Sequence, residues 1–142
     1  MLLNANESSN RTLMLSVLAA FREGHLDPLF DILADDVVWI STAPSEFFRF
    51  GGTRRGRTGV REYTALLFSG YHYTRFEPRA VSAKGDKVWG LFEIEALHRA
   101  SGRYVRTDAS ILWTLKDGKL TSHQGFFDTA GVLMQQGRLS AA

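Results

Sequence analysis

The sequence predicts an α+β fold, with helices first and an antiparallel meander after them, and three observations carry that prediction. Up to Gly70 the apolar residues mostly recur at spacings of three and four, the period of a helix face. From Tyr71 onward the pattern changes to period two, in four segments separated by glycine-bearing turns. The third is size and content. A chain of 142 residues, 44% apolar and 12% aromatic, is expected to form a single domain over residues 1–142. A domain of that size buries roughly 70% of its unfolded surface and has rings to spare for a lined cavity.

Taken in order, Ser8 or Ser9 can cap a first helix whose Leu13, Val17, Leu18 and Phe21 share one face, with Gly24 as its stop. Asp27-Pro28 begins a second, short helix with Leu29, Ile32 and Leu33 on its buried side. The run Val37 to Ser41 reads as a strand, followed by a long loop, "TAPSEFFRFGGTRRGR". Thr58 caps a third helix in which Val60, Tyr63, Thr64 and Leu67 share a face, and Gly70 closes it. Four strands follow: Tyr71 to Ala83, Lys87 to His98, Arg103 to Leu115 and Leu120 to Phe127. Their connections, "KGDK", "RASGR" and "KDGK", are short, so sequential strands run antiparallel. Asp128 caps a short C-terminal helix, "TAGVLMQQ", closed by Gly137. Helices laid on one face of a curved sheet leave a cone, and such cones hold ligand pockets.

Composition excludes several chemistries. The chain has no cysteine, hence no disulfide, thiolate nucleophile or cysteine-held metal. Met1 to Ser9 lack the basic and apolar regions of a signal peptide, and no apolar run approaches the ~20 residues of a membrane helix. The expectation is a cytoplasmic protein with no membrane partner. Arg49, Arg54, Arg55, Arg57 and Arg61 form a local cluster beside Phe47, Phe48 and Phe50, a pairing that can stack on single-stranded nucleic acid. A net charge of only +2 favours rings that close the mouth of the cone or pack against a second subunit. Nucleic acid is not an expected partner. No phosphate loop or nucleotide fingerprint is present, and no cofactor is expected.

Three stretches, "FREGHLDPLFDILADDVVWIS", "G..RGRTGVREY" and "TLKDGKLTSHQGFFD", give the chain a family likeness. It resembles the NTF2-like superfamily, and within it the SnoaL-like and ketosteroid-isomerase-related branch, from Leu13 to about Met134. The resemblance implies three N-terminal helices on a strongly curved antiparallel sheet, with a short C-terminal helix. It also implies a homodimer through the outer sheet face and a small, mostly apolar ligand. Asp35 and Asp36 become solvated residues at a helix–strand boundary. The ketosteroid-isomerase base falls at Ser41 and the oxyanion donors at Val17 and about Ile111, none of them a carboxylate or phenol. The catalytic positions of limonene epoxide hydrolases fall at Glu93, Glu95 and Gly125, where the Arg and one Asp are missing. Neither mechanism is expected.

Alternation assigns the pocket. Val37, Trp39 and Ser41 face inward on the first strand; on the last, period two and the family resemblance together imply His123, Gly125 and Phe127. Between them Val105, Thr107, Ala109, Ile111 and Trp113 form a nearly apolar face. Val88, Phe92, Ile94 and Ala96 do the same on the neighbouring strand. Glu93 and Glu95 then point outward, towards Arg106 and Asp108; a slip of one residue would turn both carboxylates inward. The candidate pocket is Trp39, Ser41, Tyr63, Thr107, Ile111, Trp113 and Phe127.

His123 is the candidate catalytic group, an acid or base near neutral pH, or else a histidine tied up by a neighbour. His98 sits at a strand rim, and two histidines without a third ligand do not make a metal site. Two functions follow. One is a cofactor-independent isomerase, cyclase or hydratase in which His123 moves a proton while Ser41, Tyr63 or Trp39 holds a substrate oxygen. The other is a non-catalytic ligand-binding or association domain.

Overall fold

The computed structural model describes residues 2–139. Four helices and six strands follow one another as α1 (Ala5–Arg22), α2 (Asp27–Ile32), β1 (Leu33–Ser41), β2 (Gly52–Arg55), α3 (Gly56–Gly70), β3 (Tyr71–Lys84), β4 (Lys87–His98), β5 (Arg103–Lys116), β6 (Lys119–Phe127) and α4 (Thr129–Gln135). The strands form one sheet in the order β2-β1-β6-β5-β4-β3. The fold is α+β, with helices packed on a mixed sheet.

The sheet is not wholly antiparallel, which corrects the expectation from sequence. β1 and β6 run parallel, with Trp39 level with His123 and Ser41 level with Gly125. The reason lies in the connections. β3 to β6 are joined by short turns that force each to reverse on the last. β1 reaches the sheet independently, through α3 and the whole meander, so packing alone sets its direction. The parallel pairing puts Trp39 and His123 side by side on one face.

Helix starts differ from the sequence reading: α1 is capped by an earlier side chain, and α2 and α3 start without a side-chain cap. α1 begins four or five residues before Ser8 and Ser9, on a reciprocal cap. Asn4 Oδ1 accepts the Glu7 amide at 2.8 Å, and Glu7 Oε1 accepts the Asn4 amide at 3.0 Å. The other Glu7 oxygen accepts the Gly85 amide at 2.6 Å, tying the helix start to the β3–β4 turn. These backbone bonds, from Asn4 first and then Gly85, hold the Glu7 carboxyl below its ordinary pKa. α2 is capped at Leu26, with Asp27 already in its first turn. α3 starts at Gly56 rather than after Thr58, with no side-chain cap. Arg57 instead anchors that helix by donating to the Phe30 carbonyl at 2.6 Å and the Leu33 carbonyl at 3.2 Å. Asp128 caps α4 as expected, accepting the Gly131 amide at 3.0 Å.

β1 extends back to Leu33, with an irregular register between Leu33 and Val38. Asp35 and Asp36 sit exposed in that irregular stretch. The short edge strand β2 lies inside the stretch expected to be loop; four residues are too few for alternation to show.

The core lies between the helices and the inner sheet face. Met14, Val17 and Phe21 of α1 and Val60 and Leu67 of α3 meet Val37, Val88, Phe92, Trp113 and Leu120. Gly90 makes room for Phe92: a Cβ there would stand 2.4 Å from its ring. Glu93 and Glu95 face outward. On the outer face Arg75 meets Glu93 at 3.4 Å, Arg106 meets Glu95 at 2.6 Å and Arg79 meets Asp108 at 2.9 Å. Exposed pairs of this kind add little stability, but they keep both carboxylates out of the interior.

Candidate functional site: an uncharged aromatic cavity

Between the helices and the sheet lies a cavity of about 110 Å³. An apolar void of roughly this size class can take a single ring. Trp39, Ser41, Tyr63, Thr107, Ile111, Trp113, Phe127 and His123 all lie in its wall. Val17 lies there too, so the cavity includes Val17, Ser41 and Ile111, the positions to which the resemblance carries the ketosteroid-isomerase groups. Among the described lining residues there is no Asp, Glu, Lys or Arg. The titratable groups are one histidine and three tyrosines.

His123 is held from both sides. Its imidazole lies under the Trp39 ring, centroids 3.7 Å apart and planes 3° from parallel. The Trp113 indole N–H donates to Nδ1 at 3.0 Å, in a fully buried bond. Register explains the convergence: Trp39, His123 and Trp113 are level across β1, β6 and β5. Burial pushes the imidazole pKa down to about 3, since an imidazolium here would have lost its water and gained no counter-ion. The ring is therefore neutral at pH 7.

The tyrosines are neutral as well. Burial raises Tyr63 to about 12, against smaller opposing effects of Trp39 and Arg54. Burial also raises Tyr73, helped by Tyr63 and Tyr71. Tyr71 is raised less; its hydroxyl bonds to the Gln136 side-chain amide. Trp39 Nε1 is buried without a hydrogen-bond partner.

Several wall residues were not assigned from sequence. Phe48 and Phe50, read as rings at the mouth or at an interface, are 2% and 6% exposed and fold into the interior against Phe127 and Tyr63. Arg54 fixes their loop, donating to the carbonyls of Phe50 at 2.7 Å, Gly51 at 3.1 Å and Arg49 at 3.0 Å. Arg138 closes it from the other side, bonding the Phe47 carbonyl at 3.1 Å. Arg57 bonds two carbonyls and Arg61 stacks 4.9 Å over Phe30, while Arg49, Arg55 and Arg61 themselves remain exposed. Tyr71 and Tyr73 line the cavity from the start of β3; their period-two spacing was the available signal. His98 bonds Ser101 at 2.7 Å outside the cavity. Among the described residues no helix is long and apolar enough to cross a membrane.

Comparison with known proteins agrees with this architecture. A family model described as a SnoaL-like domain matches residues 15–123. Among solved structures, TerC co-crystallised with polyporic acid is 26% identical, with a TM-score of 0.79 over 90% of this chain and 98% of that one. An NTF2-like protein from Burkholderia xenovorans is 20% identical, with a TM-score of 0.79 over 92% of this chain and 97% of that one. A protein from Catenulispora acidiphila with a ketosteroid isomerase-like fold, in complex with trimethylamine, is 17% identical, with a TM-score of 0.75 over 88% and 92%. No significant match is found among curated proteins. The wall of the cavity is thus built on a known frame with its own side chains, and the chain belongs to the SnoaL-like family of NTF2-like folds.

Proposed function

We propose that the protein binds a small, uncharged, ring-containing molecule in this cavity. The observation that carries the reading is the wall itself: aromatic, without a charged side chain, and centred on a neutral imidazole under Trp39. A charged ligand would lose its hydration there and find no counter-charge, at a cost of several kcal/mol. Aromatic faces and aliphatic groups such as Ile111 suit a flat, mostly apolar ring. TerC co-crystallised with polyporic acid supports a small-molecule role for this fold.

In this reading His123 holds the ligand by a hydrogen bond and does not shuttle protons. A general base must titrate near the working pH, and a buried imidazole with a pKa of about 3 does not. A second reading keeps an isomerase or cyclase. A neutral imidazole N–H can polarise a carbonyl, as it does in other enzymes. Under that reading His123→Gln loses turnover while retaining most ring binding.

The binding reading is tested by calorimetric titration with acetophenone and ethylbenzene, beside an Ile111→Trp variant that fills the cavity. Binding with negative heat-capacity change, lost in Ile111→Trp, is the expected result. No binding at millimolar concentration, or binding that Ile111→Trp leaves unchanged, overturns it.

We also propose that two copies associate through the outer sheet face. Trp89 is 39% and Phe126 44% exposed, and Leu91, Leu112 and Ile40 lie half-buried on neighbouring strands. The adjoining charged strip carries three arginines against three carboxylates, already paired, so a second copy would meet no net repulsion.

A further inference from the structure

We propose that Trp113 and Gly125 make His123 a reader of hydrogen-bond acceptors, so that the ligand is a ring whose oxygen faces His123 as a carbonyl or ether. The inference rests on the binding reading above and names the ligand's chemistry.

A neutral imidazole offers one donor and one acceptor, and the partner of one nitrogen decides the role of the other. An indole N–H can only donate. With Trp113 Nε1 3.0 Å from Nδ1, Nδ1 must be bare, because the alternative tautomer sets two N–H groups against each other. Both residues are buried, Trp113 at 1% and His123 at 6% exposure, so no water can take over the bond. The proton is therefore on Nε2, which has no protein partner among the described residues.

Gly125 keeps that N–H approachable. It is the next inward position on β6, and a Cβ built there would stand 3.2 Å from Nε2. A side chain at 125 would cover the donor; glycine leaves it facing the cavity. Ser41, level with Gly125 across the parallel pair, borders the same opening. An acceptor oxygen placed there completes the imidazole's hydrogen bonding. A ligand N–H pointed at the same spot meets a second donor and leaves both bonds unmade, whereas a hydroxyl fits only by turning a lone pair towards Nε2.

The test combines ¹⁵N NMR of the His123 ring with titration of acetophenone, an acceptor only, and indole, a donor only. In the wild type, Nε2 carries the proton and Nδ1 is bare from pH 5 to pH 8, with a ¹⁵N–¹⁵N coupling to Trp113 Nε1. Acetophenone binds about tenfold tighter than indole, the worth of one hydrogen bond. In Trp113→Phe the Nδ1–H tautomer becomes populated and the preference falls towards unity. In Gly125→Ala acetophenone weakens more than ethylbenzene. A wild-type ring protonated at Nδ1, or a folded Trp113→Phe with tautomer and preference unchanged, overturns the assignment. If Trp113→Phe does not fold, the wild-type coupling and Gly125→Ala decide alone. Binding without preference defeats this inference only, whereas failure of all three probes to bind defeats the ligand reading beneath it.

Discussion

The Trp39 indole lies flat on the His123 imidazole, centroids 3.7 Å apart and planes 3° from parallel. The contact exists because β1 runs parallel to β6 and brings the two residues level. Trp113, level with His123 on the other side, fixes the ring by its N–H. Three neighbouring strands thus hold one neutral imidazole at the wall of an uncharged cavity, and the predictions below follow from that arrangement or from the frame that positions it.

Acid should destabilise the protein partly through His123. Its folded pKa of about 3 lies below the ordinary imidazole value of 6.5, so between those values the unfolded chain binds more protons than the native one. Stability is therefore full above pH 6.5 and falls as pH drops through the window towards 3, by a few kcal/mol at most. Urea unfolding of wild type and His123→Gln at pH 7 and pH 4.5 checks this. The variant should lose less stability between the two than the wild type, and equal losses would contradict the assigned burial.

Truncating Trp39 should be costly in two ways. Trp39→Ala is expected to lose about 3–5 kcal/mol of stability, the usual range for a buried indole. It should also release His123 from its stack and weaken ring binding. Denaturant midpoints and acetophenone titration measure the two effects separately.

The α1 start should respond to its cap. Asn4→Ala is expected to cost about 1 kcal/mol. Glu7→Ala should cost more, because the amides of Asn4 and Gly85 both lose their acceptor. The order of the two urea midpoints is the test; Ser8→Ala, inside the helix, should change little.

Association through the outer face should depend on Trp89. Sedimentation equilibrium is expected to give a dimer for the wild type and a monomer for Trp89→Glu, with the fold retained. A monomeric wild type at high micromolar concentration would remove that face as a self-association surface.

Legibility in the sequence followed the strength of local signals. The meander was readable because turn glycines and period-two alternation repeat over four strands, and the inward set on β5 and β6 follows from it. Trp39 and Ser41 could be placed inside because Val37, Trp39 and Ser41 alternate along β1, and His123 because the family likeness supports the period-two reading of the end of β6. The parallel pairing of β1 with β6 could not be read, since no short connection dictates it. Without that pairing the Trp39–His123 stack was invisible. The Trp113 bond lies across β5 and β6, where alternation gives the shared face but not the register that sets the two residues level. The burial of Phe48 and Phe50 in the cavity wall could not be read for a similar reason. What turns them inward is Arg54, which bonds three carbonyls of their own loop, and no periodicity reports such a contact.

The most direct measurement of the central claim is a crystal structure of the protein soaked with 4-bromoacetophenone, with the anomalous signal of bromine used to locate the ring. The expected result is a ring between Trp39, Tyr63 and Ile111, with its carbonyl oxygen within hydrogen-bond distance of His123 Nε2. An empty cavity at millimolar ligand, or bromine found only on the outer sheet face, would contradict it.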